Sequence, residues 1–564
     1  MKRAVAVLLT AATVLALAGC SKKEEERKPS KTKKTTEETE ESTEEPDTSS
    51  ETADTSDTSD TSETSDTQGL HKNAVKVNLD HTLTKLDMSQ DVTDHAYGEL
   101  AKNLDYEHLL EAHEYLRFYT ILSDKYNTLN STLDGIYTNH AARCDEMYGE
   151  CVAAFPDMQS KANADTYWNY DYNYFGSNMS MYRADEQILS FSLYNRIFTE
   201  DITSDSTEFY NFKSATGEQI KFDDVVKDRS AFADAILATK PKVDSSSPDW
   251  VQKQDKAYTV AAENIKNGED ITFLLYPNAI AIYDTVQFDG IGYDIHFAVS
   301  VLDLGSCVDL SYFGATTKYY SLASDLGFNT KWDFDDDSLL DTLVVEDTSD
   351  DDFGVTIKVT LNGEDLQAQQ APCLHDAESI YDVFVSYTDS GYYVYVECSM
   401  EDPVFTTAVY HLDGNSFTYV GEMGEFQDFP YDPENVAVLE RSDFLGTGTA
   451  CTLATLTGAN GIPKQTSDYV EKYGMASTVE KMVLGKFDAN GQPTSESNTV
   501  PAGTVVRVKT IDTKHELVIF EALFADASKN FEFQMVLRNN DYDYDVYFNG
   551  KTAYELFKGA NFYD

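Results

Sequence analysis

Asp333, Asp335, Asp337 and Asp341 stand at relative positions 1, 3, 5 and 9 of one short acidic stretch. Calcium takes about six to eight oxygen ligands, and alternate residues of a tight loop aim carboxylates at one centre, so the spacing predicts a calcium loop. A second pattern is aromatic. Trp168, Tyr170, Tyr172 and Tyr174 alternate with Asn169, Asp171 and Asn173, which places four rings on one face of a strand, fit to bind a sugar or a protein or to fill a sheet core. Catalytic patterns fail one by one. His113-Glu114 opens a zincin-like string, but Arg117 stands where the second histidine belongs. His108 and His113 are five apart and share no helix face. There is no Gly-x-Ser-x-Gly elbow and no glycine loop to cradle phosphate, and Gly458–Gly461 reads as a turn. The chain therefore reads as a binding protein without an active site.

The cysteines add no catalytic or zinc chemistry. After Cys20 there are six, Cys144, Cys151, Cys307, Cys373, Cys398 and Cys451, too sparse for a disulfide scaffold. Cys144 and Cys151 share a helix face, but two turns of rise separate them by about 10 Å, too far to bridge. No Cys-x-x-Cys spacing occurs.

The elements that must position these groups come in blocks. Leucines and isoleucines from Leu100 to Leu122 recur at steps near three and four, which predicts helices over about 90–160, two of them meeting near Asn127–Gly135. The period then changes to two. Strands are expected at 168–174, within 179–198, at 209–212 and 219–222 around a Thr216-Gly217 turn, and at 271–276, 279–286 and 295–301. Ser230–Thr239 and Trp250–Lys266 read as helices. This order implies an α+β region over 69–310, helices plus an antiparallel sheet. From about 325 onward nearly everything alternates, with hairpin turns at Asn362-Gly363, Asp389-Ser390-Gly391 and Asp413-Gly414. The expected division is a β-rich domain over 325–440 and a C-terminal β-rich unit over 441–564.

The chain's start predicts a compartment. Lys2 and Arg3 precede an apolar run of fifteen residues, Ala4 to Ala18, shorter than the ~20 needed to span a bilayer and laid out as a signal peptide. Leu17-Ala18-Gly19-Cys20 resembles the lipobox of bacterial lipoproteins. The resemblance implies cleavage before Cys20 and a diacylglyceryl anchor on its thiol, hence a protein on the outer face of a membrane. Residues 21–68 form an acidic Ser/Thr-rich linker, with Asp-Thr-Ser repeated from Asp54 to Asp66. Such a segment buries too little surface to offset its conformational entropy, and its span is roughly 40 Å by random-coil scaling. Basic residues just after Cys20, Lys22 to Lys34, are interrupted by Glu24, Glu25 and Glu26, and add a diluted attraction to anionic lipid. The chain's net charge is −55; residues 1–20 carry +2 and the linker −9, which leaves −48 on 69–564. That sign disfavours nucleic acid and anionic wall polymers, and favours cations or basic proteins.

Several stretches resemble a known family. Ala96-Tyr97-Gly98-Glu99-Leu100, Arg183-Ala184-Asp185 leading into Leu189-Ser190-Phe191, Tyr210-Asn211-Phe212 with Thr216-Gly217-Glu218, Phe222-Asp223-Asp224-Val225-Val226, and Phe273-Leu274-Leu275 with Ala279-Ile280-Ala281-Ile282-Tyr283 are similar to the RsiV-like extracellular domain. That domain occurs in RsiV-type anti-sigma factors and PdaC-type peptidoglycan deacetylases, and the likeness covers about 75–305. It implies recognition of an extracellular partner, lysozyme in the RsiV-type proteins, or of a cell-wall component. The family's Gly-Gly-Ala-His turn is replaced here by Asp201–Glu208. The anti-sigma role conflicts with a lipobox, and no metal-binding Asp/His set for deacetylation follows; a place as accessory to a wall-active hydrolase or deacetylase is the alternative. The acidic stretch at 333–341 resembles the calcium loops of dockerin-like and FG-GAP-like β repeats, although Asp336 fills the usual small turn position and no glycine follows Asp337. The later strands resemble propeller-like or sandwich-like β units, and 495–564 resembles a small SH3-like barrel.

Overall fold

Strand alternation, not helix periodicity, governs residues 88–121. The computed structural model describes residue 79 and residues 83–558, apart from 101–108, 162–171, 200–202, 240–247, 289–290, 326, 350–353, 401–404, 443, 445–447, 459, 473, 525 and 541–542. Strands β1 (Met88–Leu100) and β2 (Leu109–Ile121) pair antiparallel where helices were expected. Leu110, Ala112, Leu116 and Phe118 are all buried, the period-two face of a strand. Leucines three and four apart fit either structure; the run Tyr115 to Ile121, rich in aromatic and β-branched residues, decides for strand.

The helix of this region is α1 (Asn127–Lys161), entered through a short turn at Asp124–Tyr126. Asn130 ties its start to the end of β2: its side chain accepts from Ile121 N at 3.0 Å and donates to Ile121 O at 2.7 Å. Leu129, Leu133, Cys144, Cys151 and Phe155 form its buried stripe and share one core with the Leu110–Phe118 face of β2. All six cysteines described are free thiols.

Strands β3 (Tyr172–Ala184), β4 (Ile188–Phe198) and β5 (Thr203–Lys213) complete a five-stranded sheet in sequence order, in which β2 and β3 run parallel and the other pairs antiparallel. Helices α2 (Arg229–Thr239) and α3 (Pro248–Lys266) lie where expected; Asp228 caps the first by accepting from the N–H groups of Ser230 and Ala231 at 3.0 Å. They share a second core with β6 (Thr272–Leu275), β7 (Ala279–Phe288) and β8 (Ile291–Ser300). Asn211 joins the two sheets. It accepts from Ser190 Oγ at 2.8 Å and Leu275 N at 3.1 Å, and donates to Phe273 O at 2.8 Å.

The later chain is a series of open antiparallel sheets. Strands β9 (Tyr320–Ala323), β10 (Asn329–Trp332), β11 (Asp341–Asp347), β12 (Ile357–Leu361), β13 (Glu364–Asp365), β14 (Ala377–Thr388), β15 (Gly391–Met400), β16 (Phe405–Asp413) and β17 (Ser416–Met423) form two sheets, β10 to β13 and β17-β16-β15-β14-β9. One core is common to both, with Trp332 fully buried and donating to Tyr320 Oη at 3.1 Å. At the β12–β13 turn Asn362 and Gly363 both have positive φ, 54° and 83°, the mirror-image turn that matches strand twist.

A ten-stranded sheet follows. It contains β18 (Glu425–Phe426), β19 (Val436–Ser442), β20 (Gly448–Thr455), β21 (Lys464–Lys472) and β22 (Met475–Thr478), with the hairpin β23 (Met482–Phe487) and β24 (Pro493–Val500) set apart. It continues through β25 (Val505–Asp512), β26 (Leu517–Leu523), β27 (Phe531–Asn540), β28 (Asp543–Val546) and β29 (Phe557–Lys558). The expected SH3-like barrel is not what these strands build. β25 pairs with β21 through Thr510–Asp512 and with β22 through Val505–Arg507, so the C-terminal strands extend an existing sheet instead of closing on themselves. The chain is thus β-rich, with several largely antiparallel sheets.

One buried carboxyl makes this fold sensitive to pH. Glu397 of β15 is 8% exposed and accepts from Phe426 N at 3.1 Å. Burial, with Asp382 and Glu425 nearby, pushes its pKa up to about 8. The folded chain then holds a proton that an unfolded glutamate releases above its ordinary value, so stability falls as pH rises from the mid-4 range to about 8. Glu397→Gln is expected to remove that slope and to stabilise the protein at pH 9 by an amount on the order of a few kcal/mol, with little change at pH 4. Urea midpoints at pH 4, 7 and 9 measure it, and parallel curves for parent and variant would reject the assignment.

Candidate functional sites

The acidic loop between β10 and β11 is folded by its own carboxylates. Asp333 accepts from Asp337 N at 3.1 Å and Ser338 N at 2.9 Å; Asp341 accepts from Phe334 N at 2.9 Å and from Asn362 Nδ2 at 2.7 Å. Asp336 and Ser338 take positive φ, 59° and 65°. The left-handed turn that a glycine would usually make is therefore made by an aspartate, which tolerates it better than most residues. Carboxylate oxygens of Asp333, Asp335 and Asp341 lie within 4.8 Å of one another. Asp337, the fourth residue of the expected set, is outside that group and accepts from Leu339 N at 2.7 Å. Burial and the neighbouring aspartates push Asp333 up to about 6. An all-oxygen triad suits a hard cation in kind, and supplies fewer ligands than calcium takes.

The aromatic stripe is placed only in part. Trp168 and Tyr170 lie outside the described residues, as does Cys20, and Tyr172 begins β3. Tyr174 is half-buried and folds back over Gly176, where an added Cβ would meet its ring at 2.2 Å. Its hydroxyl accepts from Asn178 Nδ2 at 3.2 Å. Tyr174 is thus held by packing within its own strand. His113 and Glu114 are neighbours on a strand and point to opposite faces: Glu114 is buried against His95 Nδ1 at 2.7 Å, and His113 Nε2 meets Glu111 at 3.1 Å.

A cleft that no sequence spacing signals lies between β1–β2 and the segment 428–437. Asp428 lines it and is held by an ion pair: Arg117, 3% exposed, places Nη2 at 2.7 Å from Asp428 Oδ2, and Ser180 Oγ donates to Asp428 Oδ1 at 2.5 Å. Tyr119 and Tyr431 line the walls. Burial pushes the Tyr119 phenol up to about 12 and that of Tyr431 well above its ordinary value, so both are neutral hydroxyls at physiological pH. Leu122 and Leu453 stand at the mouth, 65% and 49% exposed. At one side Lys85 is neutralised by Asp432 and Glu434, each at 2.7 Å. The cavity of about 350 Å³ has an apolar rim and a polar interior. It fits one large side chain with an apolar stem and a polar or cationic end. Its walls are about 300 residues apart in the chain, which is why local patterns gave no hint of it.

No protein-family model and no curated protein matches the chain. Among solved structures, a member of the DUF3298 family from Bacteroides fragilis NCTC 9343 is similar at 14% identity and a TM-score of 0.27, over 40% of this chain and 95% of that one. A DUF3298 family protein from Pseudomonas aeruginosa PAO1 is similar at 9% identity and a TM-score of 0.22, over 40% of this chain and 96% of that one.

Proposed function

We propose that this chain is a lipid-anchored extracellular recognition protein that binds a cationic protein, of which lysozyme is the model ligand. The observation that carries the reading is the Tyr119–Tyr431 cleft, a side-chain-sized pocket with exposed leucines at its mouth, on a chain of net charge −55. Charge of one sign speeds encounter with a basic partner, and a desolvated anchor pocket supplies selection. Cys20 is the anchor, and the acidic linker sets the recognition head off the membrane. In the same reading the Asp333–Asp335–Asp341 loop takes calcium, with the cation drawing its remaining ligands from backbone carbonyls or water.

Three measurements test these parts separately. Cys20→Ser is expected to shift the protein from the membrane fraction to the medium, or to leave an unprocessed precursor; unchanged retention and mature size would remove the anchor. Calorimetric titration of the full chain with calcium is expected to give saturable heat that Asp335→Ala reduces at least tenfold in affinity. Absence of heat from the parent would remove the site. For the partner, surface plasmon resonance of the full chain against lysozyme is expected to show an on-rate that falls with salt while binding persists at moderate salt, since exposed charges are screened more than a packed contact. Leu453→Asp is expected to weaken that binding at least tenfold. Equal binding of a basic control protein, or none of lysozyme, would reject the reading.

A further inference from the structure

A second depression lies beside β5, the last strand of the five-stranded sheet, and strands β6 to β8. Phe209 of β5, Tyr283 of β7 and His296 of β8 stack into a column, with ring centroids 4.2 Å apart at 27° and 4.2 Å apart at 13°. The column follows from register, because Tyr283 and His296 are direct cross-strand partners. It borders an open groove with a cavity volume of about 740 Å³, within the ~300–1,000 Å³ range of ligand sites. The rest of the lining is hydroxyls and carboxylates, including Thr207, Thr272, Asp205 and Asp284, with no lysine or arginine among them. Protein packed around its inner side pushes the His296 imidazole down to about 4, although its outer edge is exposed, so the column carries no charge at neutral pH.

The two carboxylates differ. Arg196 Nε stands 3.7 Å from Asp205 and offsets its charge. Asp284 accepts from Asn264 Nδ2 at 3.3 Å and has no cation beside it among the described residues, which leaves it to a ligand. A purely apolar ligand would strand the threonine hydroxyls, and an anionic one would face Asp284 within a chain of net charge −55. A ligand with apolar faces, many hydroxyls and a positive charge satisfies every wall.

We propose that this groove binds a linear glycan of amino sugars with free, protonated amines. The C–H faces of the sugar rings lie against the aromatic column, their hydroxyls bond to the threonines, and an ammonium group pairs with Asp284. This assignment stands apart from the protein-recognition cleft at Tyr119 and Tyr431, and either can fail alone.

The test is calorimetric titration of the full chain with three probes: the glucosamine tetramer, the N-acetylglucosamine tetramer and tetralysine. The glucosamine tetramer is expected to bind at least tenfold tighter than either of the others. Asp284→Asn is expected to reduce its affinity about tenfold and to erase the preference over the N-acetylated form. His296→Ala, at the exposed end of the column, is expected to weaken both sugars while the thermal midpoint stays within a few degrees of the parent. Leu453→Asp, at the other cleft, is expected to leave sugar binding unchanged. Equal affinity for tetralysine would mean that charge alone acts, and equal affinity for the N-acetylated tetramer would remove the amine; either result overturns the proposal, as does parent-like binding by both groove variants.

Discussion

A buried arginine holds together two stretches of this molecule that lie far apart in sequence. Arg117 sits on β2 and its partner Asp428 lies 311 residues later. Taking a guanidinium out of water costs several kcal/mol unless a carboxylate in good geometry offsets it, and removing one partner of such a pair typically costs ~3–5 kcal/mol. The pair therefore selects one placement of the 428–437 segment against the first sheet. The same device recurs. Arg507 of β25 reaches Asp94 of β1, 413 residues away, as well as Glu521. Arg183 bonds Asp185 at 2.5 Å and Tyr312 O at 2.5 Å. In a chain with 98 acidic and 43 basic residues, carboxylate partners are plentiful and arginines are scarce, so the buried arginines specify which surfaces meet.

The Tyr119–Tyr431 cleft is a by-product of that joint. Tyr119 is two residues from Arg117 on the same strand face, and Tyr431 is three residues from Asp428, so fixing the ion pair brings the two phenols to one cavity. Phe429 anchors the segment between them. Its ring meets Tyr276 edge-on at 5.0 Å and lies stacked on Tyr182 at 6.2 Å, which ties it to the sheets on either side. Tyr431 N–H donates to Phe429 O at 2.7 Å instead of to a strand ladder, a local turn that aims the tyrosine inward. A paired Asp428 and tethered walls mean that a ligand side chain would meet a preformed pocket, which lowers the ordering cost of binding.

What could be read from sequence followed from local chemistry. The helices at 229–239 and 248–266, the strands at 272–288 and 377–423, and the Asn362-Gly363 turn all appear where pattern placed them, because each is set by its own periodicity or by backbone freedom at one or two residues. The aspartate spacing is local in the same way, and its left-handed position at Asp336, φ 59°, is one that an aspartate tolerates. The first hairpin departs from the helices its leucine spacing predicts, because those leucines satisfy two periods and packing against α1 chooses between them. The closure of the C-terminal strands could not be read at all: whether β25 curls onto its own unit or joins β21 depends on a partner strand supplied by residues 464–472. Arg117 and Asp428 fall in this last class too, since nothing near either residue announces the other.

The carboxylates of this protein fall into four physical states, and the division explains how so acidic a chain stays folded. Some are spent on the backbone: Asp333, Asp341, Asp185 and Asp228 accept from N–H groups that turns and helix starts leave unpaired, which stabilises the local fold and holds the charge in place. Others neutralise the few buried cations. Glu397, although it also accepts from Phe426 N, escapes the cost of a buried charge by remaining protonated at neutral pH. The remainder lie on the surface, where dissolved salt at about 0.1 M screens their mutual repulsion beyond about 10 Å. Only this last group projects a field far enough to draw a distant cation, and it acts on any cation alike. Discrimination must then come from the places where the field meets a shaped wall, the hydroxyl-lined cleft beside Asp428 and the aromatic groove beside Asp284. On the proposed reading, charge would set how often a ligand arrives, and these two cavities would set which one stays.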